Sequence, residues 1–169
     1  MRRRILAAVL TALALVGLTA THADAARPAA RTVTFQLTAD ATLAPYADQV
    51  AAIWNGSNTG VSVVVVADCA GAYCIHAYVA DIGYAGLSDR NTDGSYYAQV
   101  GDWVVDLYGG DAVVHTMAHE VGHGIIGTLG GGQWHASDPR DLMTATHNPR
   151  DPIGRITRET KQYLAPLCA

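Results

Sequence analysis

Apolar positions alternate over residues 32–37, where Val33, Phe35 and Leu37 share one face, and that period predicts a half-buried β-strand. The period then changes. Leu43, Tyr46, Val50, Ile53 and Trp54 fall at helical spacing, which predicts a helix capped by Asp40 or Thr42 and ended by Asn55-Gly56. Residues 61–66 are β-branched and almost wholly apolar, the pattern of a central strand buried on both faces. A further strand is predicted at 74–82, a turn-rich stretch at 83–94, a short edge strand at 96–100 and another strand at 103–108. Beyond Gly109-Gly110 a second helix is predicted, with Asp111 at its cap and Val113, Val114, Met117, Val121, Ile125 and Ile126 as its apolar stripe. Glycines at 127 and 130–132 stop it. Residues 133–155 carry no period, and Thr157 opens a last short helix with Glu159 near its start and Pro166 beyond its end. No repeat or linker interrupts the pattern, so the chain predicts one α+β domain in the order β-α-β-β-β-(β)-α-α.

The first residues stand outside that pattern. Met1-Arg2-Arg3-Arg4 precedes an apolar run over residues 5–18, and Ala23-Asp24-Ala25 has the small-x-small form of a cleavage site. That is the order of a secretory signal peptide over 1–25, and the run is short for a membrane span, which takes about 20 residues. Residues 26–31 then read as a flexible leader and 32–169 as the folded domain, released from the membrane into the extracellular space. Half of the 169 residues are hydrophobic and 15% charged, enough apolar material for one self-sufficient core. Cleavage would remove three Arg and one Asp, moving the net charge from −4 to −6. An acidic product excludes nucleic acid as a partner, because phosphate binding needs a basic surface. In an oxidising compartment Cys69 and Cys74, which enclose four residues, predict a disulfide, which leaves Cys168 free or paired between chains.

The chemistry is concentrated in the second helix, at His119-Glu120-Val121-Gly122-His123. Two His four apart project from one helical face and can grip a single Zn²⁺, and Glu120 lies where it can take a proton from water on that ion. Zinc lowers the pKa of such water toward about 7, which gives a nucleophile for a peptide carbonyl at neutral pH. A catalytic zinc takes three protein ligands, so a third must come from downstream: His135, Asp138, Asp141, His147, Asp151 or Glu159.

Here the chain resembles the metzincin clan of zinc endopeptidases, whose pattern is HExxHxxGxxH/D followed by a turn with a Met beneath the metal. The eighth and eleventh positions are Ile126 and Leu129, a departure from that pattern, yet residues 135–143 (HASDPRDLM) are similar to the matrixin stretch H-x-S-x-P-x-x-L-M. Six extra Gly-rich residues would then separate the helix from its third ligand. Thr32-Val33-Thr34, Ala51-Ala52-Ile53-Trp54-Asn55, Gly94-Ser95-Tyr96 and Asp106-Leu107-Tyr108 are similar in order and spacing to the snapalysin family of small secreted neutral proteases. That family uses Asp as third ligand where this chain has Leu129. The resemblance covers residues 32–143. It implies a zincin domain with a twisted mixed sheet, a long first helix and a zinc-binding helix flooring the cleft. It also implies an endopeptidase, most simply a monomer, that acts on polypeptide. His119, His123 and His135 would hold Zn²⁺, Glu120 would be the general base and Met143 would shape the floor, with Asp138 and then Glu159 as the alternatives to His135. The strand at 96–100 would take the substrate backbone. A catalytically silent zinc-binding secreted module is the rival reading; retention of Glu120 speaks against it, since a structural zinc site needs no base.

The remaining constellations are weaker. His115 reads as a helix-start residue or a support behind the metal ligands, His76 and His147 read as structural, and Met143 without its spacing from His135 would be ordinary core. Asp89, Asn91 and Asp93 followed by Gly94 echo a calcium loop, but the twelfth position is Val100, so a solvated turn is the favoured reading and Ca²⁺ the alternative. Neither a Gly-x-Ser-x-Gly nucleophile elbow nor a phosphate-binding Gly loop occurs.

Overall fold

A computed structural model describes residues 31–146, 148, 150 and 152–169. The signal-peptide reading of 1–25, nearly all of the leader, His147 and Asp151 lie outside the described residues.

Among the described residues nine elements follow in the order β1 (Val33–Ala39), α1 (Ala44–Asn55), β2 (Val61–Val65), β3 (Cys74–Ala80), β4 (Gly86–Arg90), β5 (Tyr96–Gly101), α2 (Asp102–Leu107), α3 (Gly110–Thr128) and α4 (Arg158–Leu164). The strands form one five-stranded mixed sheet, β2-β1-β3-β5-β4, in which β4 alone runs antiparallel to its neighbour. The α+β expectation stands at that level. Helices α1 and α3 pack against the sheet, α1 on β1 and β2 and α3 on β4 and β5. The alternation in β1 does what it predicts: Phe35 and Leu37 are fully buried between sheet and helix.

Four sequence expectations need correction. Residues 61–66 are not a central strand, because β2 is a sheet edge with α1 on one face only. Val61 and Val63 are buried there, while Val64 and Val65 remain 41% and 40% exposed. The strand over 96–100 is not an edge; β5 lies between β3 and β4. The true edge, β4, falls inside the stretch read as turns, since Gly86-Leu87-Ser88-Asp89-Arg90 shows almost no apolar alternation. Finally, the residues read as a strand over 103–108 lie in the short helix α2 (Asp102–Leu107) and its C-cap Tyr108, and the helix buries only Val104; a short apolar run cannot tell a strand from a helix by period alone.

Local chemistry sets the helix boundaries. The expected cap by Asp40 or Thr42 is not formed: the N-cap of α1 is Leu43, without a side-chain cap bond, and Asp40 Oδ1 instead accepts the Thr42 and Leu43 amides in the turn that leads into the helix. Gly109, at φ +60°, lets the chain turn into α3, whose first turn contains Asp111 in place of the predicted cap. Thr157 caps α4 by accepting the Glu159 amide, as its sequence position predicts. The Cys69–Cys74 disulfide is formed and Cys168 is a buried free thiol. No helix among the described residues is long and apolar enough to cross a membrane.

Candidate metal centre

Helix α3 is buried along most of its length, and His123 lies one turn after His119 on the side facing a cleft of about 650 Å³. Tyr84, Gly86 and Ser88 line the opposite wall with the rest of β4. His135 enters from the loop that follows α3. Its Nε2 lies 3.2 Å from His123 Nε2, which in turn lies 3.0 Å from His119 Nε2. Tetrahedral zinc with bonds of about 2.0–2.1 Å sets ligand nitrogens about 3.3 Å apart, close to these two separations, and the ligand atoms of all three imidazoles lie within 4.8 Å of one another, so the group could hold a metal ion. The His119 Nδ1–H donates to the Leu142 carbonyl at 2.7 Å, which fixes the tautomer and leaves the Nε2 lone pair toward its partners.

Burial also favours neutral, metal-competent rings. The His123 imidazole is pushed down to about 3, first by desolvation and then by His119 and His135 beside it. Desolvation moves His135 in the same direction. Glu120, 6% exposed, lines the same cleft, and burial pushes its carboxyl up to about 8. A divalent cation nearby would draw that value back down, because it favours the carboxylate.

Two glycines make room for this arrangement. A Cβ at Gly122 would collide with Met143 Sδ and lie 2.7 Å from Trp54 Cζ2, so the bare helix surface between the two histidines admits both side chains. Met143 is thereby packed, fully buried, against the turn that carries His119 and His123. On the cleft side a Cβ at Gly86 would strike the Glu120 carboxylate, so β4 comes up directly against the base.

The other third-ligand candidates among the described residues are engaged elsewhere. Asp138 pairs with Arg140 at 3.1 Å. Asp141 is fully buried and accepts from the Met143 amide at 2.8 Å, the Thr160 hydroxyl at 2.7 Å, and both the amide and hydroxyl of Thr157. Glu159 accepts from the Ser137 amide and hydroxyl and from the Asp138 amide. His115 accepts the Gly154 amide. At residues 89–95 the acidic side chains serve a hairpin turn between β4 and β5. Asp93 Oδ1 accepts from the Ser95 amide and hydroxyl, and Asp89 Oδ1 from the Arg90 amide. His76 lies beside Cys69 and Cys74, but those sulfurs are joined to each other.

Gly86, the Leu142 carbonyl and the contacts of Glu159 escape the sequence reading. A glycine, a backbone oxygen and a surface-type carboxylate give no signal until the fold brings them to the site. No protein-family model matches the chain, and no curated protein matches it.

Proposed function

We propose that the chain is a secreted zinc-dependent endopeptidase of metzincin type. The observation that carries the reading is the convergence of His119, His123 and His135 Nε2 atoms beside Glu120, on the floor of an open cleft walled by an edge strand. Three ligands leave a fourth position for water or substrate, as a catalytic zinc requires and a structural zinc does not. Bound zinc would supply Lewis acidity toward the scissile carbonyl and a lower pKa for the attacking water.

The chain's own groups would do the rest. Strand β4 pairs with β5 through residues 85, 87 and 89, so Gly86, Ser88 and Arg90 turn their amides and carbonyls to the open edge. An extended polypeptide can add there as one more strand, its carbonyl carbon brought over the three histidines. Gln133 bounds the cleft by donating to the Ser88 carbonyl at 3.4 Å. Glu120 would take a proton from water as the oxygen adds to the carbonyl carbon, and deliver it to the amine nitrogen as the C–N bond breaks.

Cleavage of an unfolded protein by the zinc-loaded domain, beside Glu120→Ala, tests the reading. The wild type should cut and the variant should lose at least about 100-fold in kcat while holding zinc equally. If both hold zinc and neither cuts, the silent metal-binding module replaces the protease.

A further inference from the structure

Between the end of α3 and His135 the chain passes through Gly130, Gly131 and Gly132, with Gly130 at φ +88° and Gly132 at φ +66°. Such a segment is conformationally free and by itself would leave the third ligand unplaced. The loop is nonetheless gripped on both sides of His135, and both grips come from α4.

On the N-terminal side, Tyr163 donates its hydroxyl to the Gly131 carbonyl at 2.5 Å. The same ring stacks on Trp134, the residue before His135, with centroids 4.3 Å apart and planes 12° from parallel. Gly131 is pressed so closely that a Cβ would lie 3.0 Å from Tyr163 Cε1 and 2.7 Å from Ile126 Cγ2. On the C-terminal side the Glu159 carboxylate holds the Ser137 amide at 2.9 Å, and the Ser137 hydroxyl and Asp138 amide at 3.1 Å each. Glu159 and Tyr163 are four apart, so one face of α4 presents both. We propose that α4 is a clamp that fixes His135 in ligating position, with Glu159 and Tyr163 as its positioning residues; the inference rests on the metal centre proposed above.

The chemistry fits a clamp better than a loose surface contact. A carboxylate that accepts three donors from consecutive residues fixes the local backbone, and charge-assisted bonds are the stronger kind. The Glu159 carboxyl is held below the usual range, first by the Ser137 amide, against burial and the nearby Asp141 charge. Asp141 anchors the same helix to the Met143 turn through Thr157 and Thr160, so α4 cannot shift without disturbing its own footing. Groups that orient a ligating imidazole typically change metal affinity about 10–100-fold when removed.

The test is zinc titration against a chromophoric chelator, using the full domain with Glu159→Ala, Glu159→Gln, Tyr163→Phe, His135→Ala and Glu159→Ala/His135→Ala. Amide hydrogen exchange is measured on the zinc-free proteins. Glu159→Ala should weaken zinc by about 10–100-fold, with Glu159→Gln recovering part of the loss. Exchange should quicken at 131–138 while the buried part of α3 stays protected. In the His135→Ala background, Glu159→Ala should cost nothing further, because the clamp acts through His135. An equal loss in both backgrounds, or wild-type affinity in Glu159→Ala, overturns the clamp. A wild type that binds no zinc overturns the metal reading. If exchange at 131–138 still quickens in that case, α4 remains the clamp of the loop; if it does not, both fall.

Discussion

Gly86 matters for the side chain it lacks. Its position on β4 is ordinary strand backbone, so alanine there is conformationally acceptable, yet its Cβ would occupy the space of the Glu120 carboxylate. Glu120 has a flexible stem and would move. His119 and His123 are held independently, one by the Leu142 carbonyl and the other by burial within α3, so the metal ligands would stay. Gly86→Ala is therefore expected to separate base from metal. Zinc affinity should remain as in the wild type while kcat on a polypeptide falls by about 100-fold, the scale set by misplacing a reacting group by about 1 Å. Turnover at the wild-type rate would remove Glu120 from the role of a precisely placed base. At this scale the sequence was most informative where helix geometry alone fixes the outcome: His119, Glu120 and His123 occupy consecutive turns, and any helix presents them together. His135 needed the chemical demand for a third ligand, and Gly86 needed the fold.

Among the elements, β4 and α2 were illegible for opposite reasons. A charged, glycine-led edge strand carries no alternation to detect, whereas Trp103, Val104 and Val105 carry so much apolar character that they imitate a strand. Position in the sheet was equally hidden, since hydrophobic runs report burial and the order β2-β1-β3-β5-β4 is decided by packing. The consequence is functional: the edge that lines the cleft is β4, one strand beyond the expected 96–100. Ser88 directs its amide outward, away from the ladder, so proline at that position would remove the proposed substrate contact without breaking a backbone β4–β5 bond; it also removes the Ser88 hydroxyl's bond to the Tyr97 carbonyl at 2.8 Å, and Ser88→Ala, which loses that bond alone, is the control. Ser88→Pro should keep the near-UV circular dichroism and the zinc affinity of the wild type. Its KM for an extended peptide should rise by about tenfold or more, the loss of one hydrogen bond made at the cost of desolvation. An unchanged KM would mean that substrate does not pair with β4.

At the scale of the whole molecule, the chain divides at the candidate metal centre. Residues 33–128 build the sheet and helices α1, α2 and α3, while the described residues of 129–169 contain one helix, α4. His119 to Leu142, Met143 beneath Gly122, His115 to Gly154 and Ser88 to Gln133 are among the contacts that tie that second part to the first, and Asp141 to the start of α4 and Glu159 and Tyr163 to the loop around His135 brace it internally. Zinc shared by His123 of α3 and His135 of the loop would add a cross-link between the two parts, present only in the folded chain. Such a ligand stabilises by mass action, about 2.7 kcal/mol at a free concentration 100 times its Kd. For a chain of this size that corresponds to a rise in Tm of about 5–11 °C. Calorimetry of the domain with zinc and then with excess chelator should show that difference. His119→Ala should show little of it, since two remaining imidazoles bind zinc far more weakly. Hydrogen exchange should place the gain unevenly: chelation should loosen 131–144 and α4 while β1, β3 and β5 keep their protection, because their amides depend on the sheet and not on the ion. A Tm that zinc leaves unmoved at saturating concentration would deny the cross-link, whatever the affinity of the site.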